Sequence, residues 1–257
     1  MDYPFRLPEA RATQDFLKTH PNIAGMQSFH NSGGMILRPP GSAWYGDYPR
    51  SDIQVYDEIG EFGERILPWY DYLIIWQGLY TVHGGSIDWT NDGHGAISMS
   101  NELWNGNKYF QSPLLQEQQE DETSPIGGQR SQFFFDDFLQ FGEMYKEWEP
   151  FDHPQYGEVE MGGWDKFFGR INPRFMSMET FHRNMAFTLY HADMMPLMAV
   201  GDSRVESVGG GLYKVQVDLR NERLMPTITA KAMENRVVRP DILTVDGDVE
   251  VVAAGWA

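Results

Sequence analysis

The stretch that decides the fold runs from Leu79 to Trp104 and reads LYTVHGGSIDWTNDGHGAISMSNELW. We interpret it as the end of an apolar strand, a turn at Gly84-Gly85, a loop and a second strand that leads to Glu102. A carboxylate at the end of an apolar strand is costly to desolvate, so its pKa rises and it becomes suited to general-base catalysis. Glu102 is therefore a candidate catalytic residue, and the alternative is an ordinary solvated glutamate.

A second stretch, upstream of the first, has a similar organisation. It reads NIAGMQSFHNSGGMIL from Asn22 to Leu37, and its apolar positions predict a strand that ends near His30. Gly33-Gly34 follows, where the backbone can bend sharply. The chain thus carries an imidazole at the end of one strand and a carboxylate at the end of another.

Three phrases in these stretches resemble motifs of the zinc carboxypeptidases of the carboxypeptidase A-like family. In order, spacing and residue type they match the family's last zinc-binding histidine, its substrate-gripping tyrosine with the loop that follows, and its general-base glutamate. The phrases are Ser28-Phe29-His30, then Leu79-Tyr80 with Gly84-Gly85-Ser86-Ile87-Asp88-Trp89, and finally Ser100-Asn101-Glu102-Leu103.

The resemblance implies an α/β fold with a mixed β-sheet and flanking helices. It implies a zinc-dependent hydrolase, a metallopeptidase that removes C-terminal residues from peptides or proteins. A later phrase, HPQYGEVEMGGW, His153 to Trp164, is typical of a larger bacterial branch of the same family. Only the C-terminal half of the peptidase domain is matched, so we expect the N-terminal half to be missing and to act as a partner.

The resemblance also assigns roles to single residues. His30 corresponds to the last zinc ligand, Glu102 to the general base and Tyr80 to a mobile substrate contact. Asn31 corresponds to a neighbour of the ligand that contacts substrate through its backbone. Ile87 corresponds to the residue that reads the substrate side chain, and an apolar residue there favours apolar or aromatic C-terminal residues. The same pocket would be lined by Val82, Gly85 and Ser100.

The zinc site that the resemblance implies is not complete in this sequence. In the family, zinc is held by two histidines and one glutamate, and the first two ligands form an H-x-x-E motif. None of the 7 histidines here has a glutamate three residues later. His30 is then the one ligand that the resemblance supplies, and we expect the isolated chain to be inactive.

Composition excludes some classes of partner. The chain has 257 residues, with 37 acidic and 20 basic side chains, and its net charge is −17. Nucleic acids and anionic membranes need a basic face, so neither is expected as a partner. There is no cysteine, so a metal would have to be bound by His, Asp, Glu or water. The residues from Met1 to Pro4 have no signal-peptide pattern, although a secreted or periplasmic location is typical of full-length family members.

Local patterns predict the remaining elements. Residues 1–204 form the partial zinc carboxypeptidase-like domain in this interpretation, and residues 205–257 form a partial β-sandwich-like accessory domain. The alternation from Leu212 to Leu219 predicts a half-buried strand. Further short strands are predicted over 227–232, 237–239, 242–245 and 249–253.

Helices and one loop are predicted upstream of residue 205. We expect a helix over Glu9 to Thr19, one that starts at a Ser51-x-x-Gln54 capping box, and one capped by Ser177. Residues 105–130 are predicted to form a long surface loop. The segment from His153 to Trp164 is predicted to be extended, with Tyr156, Val159 and Trp164 pointing inward.

Two other functions remain open at this point. The chain could be a non-catalytic relative that binds peptide C-termini or has a structural role. Alternatively, Asp88-x-x-x-Asp92-Gly93 could be a calcium loop in an unrelated binding protein, although it lacks the full spacing of such loops.

Overall fold

The computed structural model describes residues 5–105, 130–238 and 240–255. Its helices are α1 (Pro8–Thr19), α2 (Arg50–Ile66), α3 (Ile75–Gly78), α4 (Ser86–His94), α5 (Arg130–Leu139), α6 (Arg174–Asp193) and α7 (Ala230–Asn235). Its strands are β1 (Gly25–Ser32), β2 (Met35–Arg38), β3 (Asp71–Ile74), β4 (Ile97–Trp104), β5 (Tyr145–His153), β6 (Gly157–Trp164), β7 (Met198–Gly209) and β8 (Leu212–Asn221). In the part of the chain so described, no helix is both long and apolar enough to cross a membrane.

The expected fold class is confirmed, because a mixed sheet with flanking helices is followed by a small β region. The strand order is β1-β4-β2-β3. Strand β4 is parallel to β1 and antiparallel to β2, while β2 and β3 are parallel. The last of the four strands in sequence therefore lies between the first two, and β1 lies at the edge.

The largest core cluster packs α2 and α6 against one face of this sheet. Phe187 of α6 and Tyr56 of α2 are fully buried against Ile97 and Met99 of β4. The Tyr56 hydroxyl accepts the Ser98 backbone N–H at 2.9 Å. Helix and sheet are thus joined by a buried hydrogen bond as well as by apolar contact.

Two predicted helix starts are wrong. Helix α2 begins at Arg50 after Pro49, and α6 begins at Arg174 after Pro173, with no side-chain cap at either position. Ser51 and Ser177 therefore lie inside their helices, and the Ser177 hydroxyl accepts a hydrogen bond from Asn172 at 2.8 Å. Each proline holds an extended backbone just before the helix, so the turn starts earlier than the serine pattern indicated.

The segment after Gly85 is a helix, α4, where a loop was predicted. Gly85 is its N-cap, and Gly95 ends it with φ +85°. Glycine and Asn are poor helix formers, so the local pattern indicated a loop. Tertiary contacts override that preference, because Ile87, Thr90 and Asn91 are all buried. The apolar run before Gly84 is also shorter as a strand than predicted, since β3 ends at Ile74 and α3 follows.

The segment from His153 to Trp164 is extended, as predicted, and belongs to the β5–β6 hairpin. Trp164 and Val159 are partly buried, but Tyr156 is 77% exposed, so its predicted inward orientation is wrong. It lies in the turn between the two strands, where no other element covers it. Most of the predicted loop at 105–130 lies outside the described residues.

The predicted strand at Leu212–Leu219 is present within β8, which pairs with β7 as a long hairpin. Strand β7 starts at Met198 and crosses the predicted domain boundary after residue 204. That boundary stays a prediction, and a boundary before Met198 would keep β7 in one unit. The predicted strand at 227–232 is wrong, because α7 occupies Ala230–Asn235. The described residues at 237–238 and 240–255 contain no strand.

Helix α7 is held against α2 by one buried carboxylate. Asp52 accepts the backbone N–H groups of Ala230 and Lys231, each at 2.8 Å, and is 1% exposed. These donors belong to the first turn of α7, where N–H groups have no partner within the helix. Asp52 therefore caps α7 from 178 residues away in sequence.

We expect Asp52→Ala to lower the free energy of unfolding by about 2–3 kcal/mol, because two helix N–H groups lose their acceptor. Urea denaturation followed by circular dichroism measures this. The matched control is Glu61→Ala, which removes an exposed carboxylate from the same helix. Equal, small effects of the two substitutions would show that Asp52 does not anchor α7.

His191 links α6 to the start of β1. It is 2% exposed, and a side chain at Gly25 would stand 3.1 Å from its Nε2 atom. Burial lowers the pKa of His191 to about 4. The folded protein therefore binds its proton more weakly than the unfolded chain does.

The free energy of unfolding therefore falls as the pH drops from about 6.5 to about 4. In this pH range His191 is protonated in the unfolded chain but not in the folded protein. We expect this group to cost about 3 kcal/mol once the pH is below 4. His191→Met should remove that part of the pH dependence, and His182→Met, at an exposed site on the same helix, should not. Chemical denaturation at pH 7, 5.5 and 4.5 measures the free energy of unfolding of each variant. The same change of this free energy with pH in His191→Met and wild type would contradict the prediction.

Candidate active site

His30 and Glu102 form the centre of the candidate site. They are register partners on the parallel strands β1 and β4, so their side chains emerge on the same face of the sheet. The distance from His30 Nδ1 to Glu102 Oε1 is 3.9 Å. This is an electrostatic contact rather than a hydrogen bond. The His30 side chain is 59% exposed, whereas that of Glu102 is 14% exposed.

The environment of Glu102 favours the protonated acid. Burial raises its pKa, while the neighbouring charge of His30 and the backbone N–H of Ser32 lower it, and the net direction is upward. A carboxylate with a raised pKa accepts a proton more readily at neutral pH than an ordinary glutamate does. The site therefore has the electrostatic character that a general base needs.

The bend between β1 and β2 holds Glu102 in place. Gly34 donates its N–H to the Glu102 carbonyl at 2.8 Å, and Gly33 donates to the Trp104 carbonyl at 2.6 Å. Gly34 has φ +64°, and a Cβ atom there would stand 2.3 Å from the Asn105 side chain. Only glycine fits this position, where the chain passes around the end of β4.

A small apolar cluster lies on the same face of the sheet as Glu102. It is formed by Leu37, Ile75 and Ile87, with Val82 and Met35 packed against it. Met35 is the register partner of Glu102 on β2, and antiparallel partners share a face. Two of the predicted pocket residues, Ile87 and Val82, therefore belong to the apolar surface next to the candidate base.

The other predicted contacts are less closely associated with the pair. Ser100 is buried on β4, and its hydroxyl accepts a hydrogen bond from the Ser28 hydroxyl at 2.8 Å. Gly85 forms the N-cap of α4. Tyr80 is 64% exposed in the loop after α3, and Asn31 is exposed on β1. The described contacts of Tyr80 and Asn31 do not join either residue to His30 or Glu102.

Two residues of the site were given no role from the sequence. Ser28 was quoted only as part of the motif that ends at His30; it precedes His30 by two positions, so it lies on the same strand face, and the alternation rule could have assigned it to the site. Met35 faces Glu102 from β2, and no sequence signal indicates this, because β2 and β4 are paired only by the tertiary fold. Both residues shape the surroundings of Glu102 without being able to act as acids or bases.

The described residues do not fit a three-ligand zinc site. In residues 5–105, 130–238 and 240–255, no group of three His, Asp or Glu side chains could hold a metal ion. The residues outside these ranges contain no histidine. His30 is thus a single imidazole, and structural or catalytic zinc needs three or four protein ligands.

The calcium-loop alternative is not supported either. Asp88 and Asp92 lie on helix α4 and not on a loop. One Asp88 oxygen, Oδ1, already accepts the Gly41 N–H at 2.8 Å. The pair therefore lacks the geometry of a calcium loop, which wraps its ligands around the ion.

A cavity of about 420 Å³ lies elsewhere, beyond the ends of the parallel strands β2 and β3. It is lined by Arg38, Asp57, Tyr72, Leu73, Ile74, Gln77 and Gly78. Arg38 and Asp57 face each other there, with 3.7 Å between Nε and Oδ1, and the Tyr72 hydroxyl donates to Asp57 at 2.9 Å. The charged groups of the cavity thus pair with one another.

Two family models match the chain. The family described as zinc carboxypeptidase matches residues 2–124, and the family described as Domain of unknown function (DUF8731) matches residues 198–255. No curated protein matches the chain. The first match contains β1 to β4 and with them His30, Tyr80 and Glu102. Over residues 2–124, this chain is similar to the zinc carboxypeptidase family.

Proposed function

We propose that this chain carries the general-base part of a metallocarboxypeptidase, which hydrolyses the C-terminal peptide bond of peptides or proteins. The observation that carries the proposal is the register pair of His30 and Glu102, at 3.9 Å, within the region that the zinc carboxypeptidase family model matches. In this proposal Glu102 is the base and His30 is a metal ligand.

Glu102 would move a proton during hydrolysis. Its carboxylate takes a proton from the attacking water and gives it to the nitrogen of the leaving residue. The raised pKa of Glu102 supports this role, because the group must both accept and release a proton near neutral pH. The small exposed fraction of its side chain, 14%, supports a site from which bulk water is partly excluded.

The apolar cluster supports a preference for substrates with an apolar or aromatic C-terminal residue. Ile87 and Val82 would contact that side chain, since they lie on the face of the sheet that carries Glu102. An acidic or basic substrate side chain would lose hydration there without gaining a partner. We propose that Tyr80, Asn31, Gly85 and Ser100 complete the substrate contacts.

Hydrolysis in this proposal requires metal ligands from polypeptide outside the described residues. Strand β1, which carries His30, pairs only with β4 in the described sheet and leaves its other edge open. An open strand edge offers unpaired N–H and C=O groups to another strand. A partner strand at this edge would bring its side chains next to His30, and the expected N-terminal half is the proposed partner.

The outer side of α6 supports the same requirement. The helix buries Phe187 and His191 against the sheet, yet large apolar side chains also cover its opposite side. A helix that is apolar all round is normally covered on both sides. The outward residues, 51–80% exposed, are Phe175, Met178, Phe181, Met185 and Leu189.

A second candidate function is binding without hydrolysis. His30 belongs to no group of three candidate metal ligands among the described residues, which favours this second function, because a relative without a metal could still bind peptide C-termini. The two candidates differ in what the chain should do with zinc and with a free C-terminal carboxylate.

We expect the isolated chain not to release Phe from a blocked dipeptide that ends in Phe, even with added zinc, because one imidazole cannot retain a catalytic ion. Metal analysis after gel filtration should find much less than one zinc per chain. His30→Ala should remove the remaining weak zinc binding, whereas His20→Ala, at an exposed site on another element, should not. Stoichiometric zinc and release of Phe, both lost in His30→Ala, would contradict the requirement for further ligands.

Peptide binding separates the two candidates. If hydrolysis needs additional polypeptide, the chain alone should bind a labelled peptide ending in free Phe no better than the same peptide with a C-terminal amide. Fluorescence anisotropy measures both affinities. An affinity at least about tenfold higher for the free carboxylate, equal to about 1.4 kcal/mol, would favour the binding protein.

A further inference from the structure

The loop that carries Tyr80 is attached to the segment between β2 and α2. Val82, two residues after Tyr80, donates its backbone N–H to the carbonyl of Gly41 at 2.7 Å. Val82 also packs against the cluster of Leu37, Ile75 and Ile87. The position of the Tyr80 loop therefore depends on the position of Gly41.

Gly41 is in turn held by Asp88. The Gly41 N–H donates to Asp88 Oδ1 at 2.8 Å, and this hydrogen bond is buried. Asp88 is in the first turn of α4, where the helix dipole favours a negative charge. Two consecutive hydrogen bonds thus connect the side chain of Asp88 to the backbone of Val82.

The packing around Asp88 is tight at two glycines. A Cβ atom at Gly41 would stand 2.5 Å from Asp88 Oδ2 and 2.8 Å from the Val82 carbonyl oxygen. A Cβ atom at Gly85 would stand 3.0 Å from the same Oδ2. The two glycines allow the loop, the β2–α2 segment and the start of α4 to approach closely.

Keeping a carboxylate in this position is costly. Asp88 is 3% exposed, and its Oδ2 atom is buried without a hydrogen-bond partner. Burial raises the pKa of Asp88 to about 6, and the charge of Asp92 adds to this, although the Gly41 N–H and the charge of His83 lower it. An unpaired buried oxygen costs about 1–3 kcal/mol, so packing alone does not account for an acid here.

We propose that Asp88 is a positioning residue that holds the Tyr80 loop in place through Gly41. Its effect on catalysis rests on the proposed function, in which Tyr80 contacts substrate. Its effect on the loop does not, and can be measured in the chain as it stands. The positioning role requires an oxygen at residue 88 that accepts the Gly41 N–H. A side chain of the same shape that keeps this acceptor should therefore still hold the Tyr80 loop in place.

Amide hydrogen exchange rates, measured by NMR, test the proposal. In Asp88→Ala we expect the Val82 amide to exchange at least about tenfold faster, because its acceptor Gly41 is no longer held. In Asp88→Asn the amide oxygen still accepts the Gly41 N–H, so the Val82 rate should stay within about threefold of wild type. The Ser98 amide, which donates to Tyr56 in the core, reports whether the fold is intact.

Asp92→Ala is the matched control, since Asp92 lies one turn further along α4 and is not bonded to Gly41. It should leave the Val82 rate unchanged. Gly41→Ala breaks the connection from the other side, because its Cβ atom would meet both Asp88 and Val82. It should speed exchange at Val82 and spare Ser98.

An unchanged Val82 rate in both Asp88→Ala and Gly41→Ala would overturn the proposal. Amide exchange that becomes faster by the same factor at Val82 and Ser98, in both Asp88→Asn and Asp88→Ala, would also overturn the proposal. That pattern would mean a general loss of stability. Neither result depends on hydrolysis. The zinc and peptide assays test the proposed function, whereas the amide exchange rates test the positioning role of Asp88, so the two proposals can be rejected independently.

Discussion

The site depends on the insertion of β4 between β1 and β2. One edge of β4 pairs with β1 in parallel, and its other edge pairs with β2 in the antiparallel sense. These two sets of hydrogen bonds determine the register, and a slip of one residue would turn Glu102 to the opposite face. The contact with His30, the position of Met35 and the burial of Ser100 all follow from this one arrangement.

His30 and Glu102 could be identified from the sequence because each is marked by a local pattern of strand type. Both His30 and Glu102 follow apolar strand patterns, and the order and type of the surrounding motifs indicated a family whose fold brings them together. Helix α4 could not be predicted in the same way, since Gly93 and Asn91 disfavour a helix, and burial of its residues stabilises it. The same reason applies to α7, which is capped by the distant Asp52.

That the metal site is incomplete stays a prediction from the sequence, where no histidine is followed by a glutamate three residues later. A fold can place one ligand correctly and still not bind zinc, because affinity requires several ligands at one point. In the proposed function, additional polypeptide would pack at the open edge of β1 and on the apolar outer side of α6.

The central claim is that Glu102 is the base of a site whose other metal ligands lie outside the described residues. The most direct measurement is release of Phe from a blocked dipeptide by this chain combined with a polypeptide that supplies an H-x-x-E motif beside β1. We predict zinc-dependent turnover for wild type, and turnover at least about 100-fold lower for Glu102→Gln at equal zinc content, because the amide cannot accept the proton. Equal turnover by wild type and Glu102→Gln would contradict the account.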